Sequence, residues 1–282
     1  MDRAQITFAG TSLSDPGRPE GPTLSQARRA FEMRDLTLLD GFDAHELKDL
    51  DNASLMDRVD TKFLMPRALL ADLLRAMRER YSVLEIDGTR SFRYRNDYFD
   101  DPTHRFYRAH HAGRMNRFKV RRRDYLDNGT AFLELKRKNN RGRTLKTRVP
   151  TEPGDAALSR AATDLLLAGG VTEPHALGIV HTGTYRRLAL ASEARAERLT
   201  IDCDLRFRSA VDDRGLELGP WVLAELKQAR HDRASPFFRW ARDRGLRPCG
   251  FSKYCMGMYL SGPEELRRNR FHGVARLVGR RR

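Results

Sequence analysis

The strongest constraint on this chain is a two-residue rhythm, in which short runs place Arg, Lys or Glu at every second position and apolar residues between them. Side chains of a strand alternate faces, so residues two apart stand side by side at about 6–7 Å. Arg117, Lys119, Arg121 and Arg123 then share one face, against Phe118 and Val120. Glu134, Lys136 and Lys138 oppose Leu133 and Leu135, and Thr144, Lys146 and Arg148 oppose Leu145 and Val149. Arg93 and Arg95 oppose Phe92 and Tyr94; Arg198, Thr200 and Asp202 oppose Leu199, Ile201 and Cys203; Glu225 and Lys227 oppose Val222, Ala224 and Leu226.

One such run is the wet face of an ordinary half-buried antiparallel sheet. Repetition over successive strands asks for more, because a solvent face mixes signs and like charges directly opposite each other destabilise the pairing. Here bases dominate, and a bound polyanion would offset their repulsion through charge-assisted hydrogen bonds to Arg and Lys. Closing the sheet into a barrel would gather these faces around a lumen, a basic tunnel. The carboxylates Glu134 and Glu225 invite a second role, holding a hard divalent cation against substrate phosphates. Ion pairs that merely relieve crowding among the bases explain them equally well from the pattern alone.

Strand-like runs fall at about 58–64, 91–99, 105–111, 115–124, 130–138, 143–149, 180–189, 197–207 and 219–228. Turn signals at Asp127-Asn128-Gly129, Asn139 to Gly142 and Asp212 to Gly215 separate several of them. Three helices are predicted: Pro66 to Arg80, Asp155 to Ala168 before Gly169-Gly170, and Ser235-Pro236 to about Arg244. Many strands with few helices indicate an α+β chain built on an antiparallel barrel rather than a parallel α/β fold. Residues 1–30, with Pro16, Pro19 and Pro22 among Gly, Ser and Thr, read as a flexible leader, residues 31–262 as the folded domain, and the Arg-crowded 263–282 as a solvated basic tail able to contact anionic surfaces.

A net charge of +15 over 282 residues favours anionic partners without choosing among them. Cys203, Cys249 and Cys255 have neither CxxC spacing nor an even count, which argues against a disulfide framework or a zinc site. No run approaches the roughly 18 apolar residues of a membrane span, and no signal peptide is visible, so the cytoplasm is the expected compartment. P-loop, Rossmann, HExxH and nucleophile-elbow patterns are all missing, and the eight His residues read as surface or turn positions. Phe92, Tyr94, Tyr98, Phe99, Phe106 and Tyr107 could stack bases of a single strand, but their place opposite the charged face favours core packing, so no specific nucleic acid is expected.

The ordered set Arg58-Val-Asp-Thr-Lys62-Phe, Asn96-Asp-Tyr-Phe-Asp100, Arg117-Phe-Lys-Val-Arg121, Phe132-Leu-Glu-Leu-Lys136, Lys146-Thr-Arg148, Tyr185-Arg-Arg187, Arg198-Leu-Thr-Ile-Asp202, Val222-Leu-Ala-Glu-Leu-Lys227 and Ser252-Lys253-Tyr254 resembles the VTC domain. That domain is the polyphosphate polymerase module of the vacuolar transporter chaperone complex, within the CYTH-like triphosphate tunnel superfamily. The resemblance implies an eight-stranded antiparallel barrel, the triphosphate tunnel, with peripheral helices, taking ATP and inorganic polyphosphate with Mn²⁺ or Mg²⁺ as cofactor. It implies a phosphate clamp of Lys62, Arg117, Lys119, Arg121, Lys136, Lys146, Arg186 or Arg187, Arg198, Ser252 and Lys253, with Lys62, Arg121, Lys136 and Lys253 closest to the chemistry. Glu225 is the implied metal ligand, with Glu134 beside it. Neither a regulatory SPX domain nor a membrane segment is recognisable, as expected of a stand-alone, bacterial-type member. Polyphosphate synthesis from ATP is the expected activity; a triphosphatase on the same scaffold and a non-catalytic polyphosphate- or RNA-binding module are the alternatives.

Overall fold

A computed structural model describes residues 36–49, 58–140, 143–212 and 214–279, and residues 1–30 lie outside it. Eleven strands form one sheet: β1 (Ala44–His45), β2 (Val59–Pro66), β3 (Ser82–Leu84), β4 (Phe92–Asp100), β5 (Arg117–Tyr125), β6 (Thr130–Lys138), β7 (Thr144–Thr151), β8 (Gly178–Ser192), β9 (Glu197–Ser209), β10 (Gly215–Glu217) and β11 (Trp221–Gln228). Eight of them follow the antiparallel order β2-β11-β9-β8-β4-β5-β6-β7. The barrel expected from the sequence is corrected in one respect: the ladder ends at β2 and β7, and among the described residues these two do not pair. The sheet nevertheless curls, since residues of both terminal strands line one cavity.

Helices α1 (Leu70–Met77), α2 (Arg105–His111), α3 (Arg160–Ala168), α4 (Pro236–Asp243), α5 (Lys253–Ser261) and α6 (His272–Gly279) surround the sheet. The outward residues Val222, Ala224 and Leu226 of β11, Leu199, Ile201 and Cys203 of β9, and Phe63 and Met65 of β2 form one apolar core with Leu70, Leu73, Leu74 and Met77 of α1 and Phe237 and Trp240 of α4. Burying each such side chain contributes about 1.5–3 kcal/mol, and this core holds the outside of that half of the sheet. On the other half, Leu133 and Leu135 of β6 and Val120 of β5 pack in a second core that includes Ala162 and Leu166 of α3. Capping fixes two of the expected helices, because the Ser159 and Ser235 hydroxyls accept from the backbone N–H of Ala162 and Phe238.

Residues 105–111, expected as a strand, form α2 instead. Asp100 accepts from the backbone N–H of Phe106 and Tyr107, and Asp101 from that of Arg105, so two carboxylates satisfy the helix start. The C-terminal stretch also differs from the solvated tail expected. Leu266 and Phe271 are buried, the Tyr107 hydroxyl donates to the Arg267 carbonyl, and α6 follows. Nor are all histidines superficial: His181 is wholly buried and stacks on Tyr98. No helix among the described residues is long and apolar enough to cross a membrane.

Candidate functional site

The inward faces of the curled sheet enclose a cavity of about 340 Å³. Its bases are Arg58 and Lys62 from β2 and its approach, Lys119, Arg121 and Arg123 from β5, Lys136 from β6, Lys146 from β7, Arg187 from β8, Lys227 from β11 and Lys253 from α5. Only Asp60, Glu134 and Glu225 among its lining residues are acidic. Pairing register accounts for the convergence: Lys119 faces Lys136, which faces Lys146, while Arg121 faces Glu134 and Lys62 faces Glu225 across adjacent strands.

Glu134 is the counter-ion of the β5–β7 wall. Its fully buried side chain accepts from Arg121 at 2.7 and 2.5 Å and lies 2.8 Å from the Lys146 ammonium. Burial pushes its carboxyl up, but Arg121, Arg123 and Lys146 outweigh this and hold it well below the usual carboxylate range. The lysine row shows the opposite stress. Burial, then the charges of Lys62, Arg117 and Arg121, pull the Lys119 ammonium down to about 8, despite an opposing pull from Cys255. Arg121 and then burial drive Lys136 far below its ordinary value, and Lys146 is lowered chiefly by burial.

On the opposite wall Glu225 stands 2.7 Å from Lys62 and 3.4 Å from Lys227. Burial would raise its carboxyl, yet Lys227 and Lys62 keep it ionised far below the normal range. Deeper still, Asp202 accepts a bidentate fork from Arg187 at 2.6 and 2.9 Å and a further bond from Lys253. Burial opposes ionisation of Asp202, but Arg187 and Lys253 hold it down at about 2. Beneath these cations Tyr94 and Tyr185 stack at 5.2 Å, with Arg187 5.3 Å from each ring and Lys253 4.6 Å from Tyr185. Such cation–π support orients the charged groups without neutralising them.

The amino end of α5 plugs the cavity. The Ser252 hydroxyl caps it by accepting from Cys255, and also accepts from Lys119 at 3.2 Å. Tyr254 donates to Asp100, and the His181 ring makes a 3.0 Å hydrogen bond with the Tyr254 carbonyl. Gly257 is required at this contact, since a Cβ there would come within 2.2 Å of the His181 ring.

Of the residues singled out in the sequence, Lys62, Lys119, Arg121, Lys136, Lys146, Arg187, Ser252, Lys253, Glu134 and Glu225 line the cavity. Arg186 does not: it lies on the outer side of β8 among Leu188, Cys203 and Arg67. Arg198 and Arg117 are not among the lining residues either, although Arg117 lies on the inward face of β5. Arg93 and Arg95 are corrected more sharply, because β4 turns Tyr98 into the cavity while Arg95 borders a separate groove with Arg206 and Arg208. Tyr94 and Tyr98 thus support the site instead of backing it. Arg58, Asp60, Arg123 and Lys227 join the lining, and the alternation that located their neighbours also marks them.

For a divalent cation, hard carboxylate oxygens are the expected donors, with substrate phosphates and water completing the shell. Glu225 and Asp60 face the cavity and fit such a mode. Glu134 fits less well: its side chain is fully buried and both its oxygens are held within 2.8 Å of a cation, whereas Glu225 keeps some exposure and its second oxygen lies 3.4 Å from Lys227. Among the described residues no three His, Cys, Asp or Glu side chains converge as a ready-made metal cage.

Residues 57–164 match the model of the VTC domain family, so the resemblance is borne out over that stretch. The fold places residues of β8, β11 and α5, all beyond the match, in the lining of the same cavity. Among solved structures, a candidate adenylate cyclase from Bacillus halodurans is similar at 16% identity over 77% of this chain and 99% of that one, with a TM-score of 0.45. A candidate adenylyl cyclase from Hippeastrum, with a dominant triphosphatase activity, is similar at 15% identity over 72% of this chain and 95% of that one, with a TM-score of 0.48. No curated protein matches the chain.

Proposed function

We propose that this chain, with residues 57–164 matching the VTC domain, processes triphosphates and polyphosphate, and that its reaction is polyphosphate synthesis from ATP. The observation that supports this best is the convergence of ten bases on one cavity with three carboxylates among its lining residues, including a row in which Lys136 opposes Lys119 on one strand and Lys146 on the next. Only a ligand carrying several negative groups relieves such a row.

In this reading the ATP triphosphate lies across Lys62, Arg121, Lys136 and Lys253, with Lys119, Lys146, Arg187 and Ser252 completing the clamp. A terminal oxygen of the polyphosphate chain attacks the γ-phosphorus in line; the new P–O bond forms as the β,γ-bridging P–O bond breaks, and ADP leaves with its electron pair. Such transfers depend on positioning and on neutralising charge more than on covalent assistance. The Arg187 fork to Asp202 and the Tyr94–Tyr185 stack hold the cations in place before substrate arrives. A Mn²⁺ or Mg²⁺ ion held by Glu225, with Asp60 beside it, would supply charge neutralisation at the phosphate oxygens. Glu134 acts as a counter-ion, preventing Arg121 and Lys146 from repelling each other.

Purified protein incubated with ATP and Mn²⁺ is expected to yield a ladder of acid-labile polyphosphate. Orthophosphate released from tripolyphosphate without a ladder would make the chain a triphosphatase. Unchanged ATP and tripolyphosphate, with binding lost at moderate salt, would reduce it to a binding module.

A further inference from the structure

A second cationic cluster continues the charged face beyond the cavity. Arg117 lies two residues before Lys119 on the inward face of β5, about 6–7 Å along the strand, and faces Lys138 across to β6. The rung Lys119–Lys136 inside the cavity is therefore followed by a second like-charged rung outside it. Arg270, brought by the C-terminal segment, donates to the His111 carbonyl at 3.0 Å and lies against Gly113. Arg117 donates to the neighbouring Arg114 carbonyl at 2.6 Å, so the loop after α2 positions both guanidinium groups.

The Arg270 bond caps the carboxyl end of α2, which by itself favours cations, and the Arg117 bond holds the loop that follows. Capping does not use up the site, however. A guanidinium has five N–H donors, each of these two commits one to a carbonyl, and the buried Nε of Arg117 has no partner. Burial together with Lys119, Arg117, Arg270 and Lys138 pushes His110 down to about 2, so all four cations bear on one point and His110 adds no charge of its own. An unrelieved like-charged rung, an orphaned guanidinium donor and a continuous face leading to Lys119 are together poorly explained by helix capping.

We propose that Arg117, Lys138 and Arg270 form an outer anion site that takes the segment of a linear polyphosphate extending beyond the cavity, so that long chains bind more tightly than tripolyphosphate. This rests on the cavity being a polyphosphate site and adds chain-length selectivity to it. The C-terminal segment would then take part in substrate selection.

The test compares inorganic tripolyphosphate with a linear polyphosphate several times longer, by calorimetry on the full chain. Lys138→Gln and Arg270→Gln are each expected to bind tripolyphosphate as the unmodified protein does, and to lose about three- to tenfold in affinity for the long chain, the scale of one charge-assisted bond. Lys138 is the decisive position, because removing a base opposite Arg117 should not destabilise the fold, whereas Arg270→Gln also removes a helix cap and is checked by its Tm. Unchanged long-chain affinity in Lys138→Gln, or equal affinity of the unmodified protein for both lengths, overturns the outer site while leaving the cavity reading intact. Failure of the unmodified protein to bind tripolyphosphate at all would instead overturn the cavity reading.

Discussion

The two walls of the cavity handle charge in opposite ways. On the side of β2, β11 and β8 the bases lining the cavity have carboxylates: Lys62 and Lys227 share Glu225, while Arg187 and Lys253 of α5 share Asp202 of β9. Along β5, β6 and β7, Lys119, Arg121, Arg123, Lys136 and Lys146 are served by Glu134, and Lys136 faces Lys119 on one side and Lys146 on the other. The first wall is complete in the folded protein. The second carries like-charge repulsion across its strands, which under the proposed function a bound polyphosphate would relieve. A site of this kind gives up stability when empty for affinity when filled.

The largest effect expected from this contrast is on turnover. Glu225→Gln removes the carboxylate proposed to hold the cation, and kcat with ATP and Mn²⁺ should fall by about 10²–10³-fold, a loss typical of removing one group that stabilises transition-state charge. Affinity for tripolyphosphate should change only a few-fold, and turnover close to that of the unmodified enzyme would take Glu225 out of the metal role.

Stability separates the walls next. Lys136→Met relieves the opposed row and should stabilise the anion-free protein by up to about 1 kcal/mol, while weakening tripolyphosphate binding. Lys62→Met, on the balanced wall, strips a partner from Glu225 and should destabilise by about 1 kcal/mol, discounted for the partial exposure of the pair. Urea midpoints of the two variants moving in the same direction would erase the distinction between the walls.

The smallest effect is on pH dependence. Lys119 loses its proton at about 8 in the fold against an ordinary 10.5, so between those values the unfolded chain binds more protons. The sign follows: stability of the anion-free protein rises with pH across that window, and the cost is fully present below about 8. Bound phosphate favours the ammonium form, so affinity should fall as pH rises through about 8, with proton uptake on binding in calorimetry run in buffers of different ionisation heat. Affinity independent of pH there would mean that Lys119 does not meet the anion.

The inward sides of β5, β6 and β11 were legible in the sequence because apolar residues alternate with the charged ones over part of each strand: Phe118 and Val120, Leu133 and Leu135, and Val222, Ala224 and Leu226. Those apolar residues must be buried, and a period of two then leaves the charged set only one direction. The same rule failed at β4, where Tyr94 and Tyr98 face inward and Arg95 outward. On β4 the partly exposed Arg93 and Arg95 take the outer side and the aromatic residues the cavity side, so here the apolar set is the one that faces the lumen. At Tyr185-Arg-Arg187 two adjacent bases left the direction open, and the bidentate fork to Asp202 selects Arg187. Helix α5 went unread because its apolar residues surround it without a stripe, and only the His181 contact explains Gly257 at its centre.

By itself the sequence determined which strands carry bases, which residues share a face with them, and that such faces crowd like charges together. These follow from the pleat of a single strand and from Coulomb repulsion, both local properties. Tertiary structure decided the rest: that β2 and β7 do not pair among the described residues, that Glu134 and Asp202 serve as counter-ions, and that α5 and the C-terminal segment bring Lys253 and Arg270 to the charged faces. Those outcomes depend on register between strands and on docking of residues more than a hundred positions apart, which no alternation within one segment encodes.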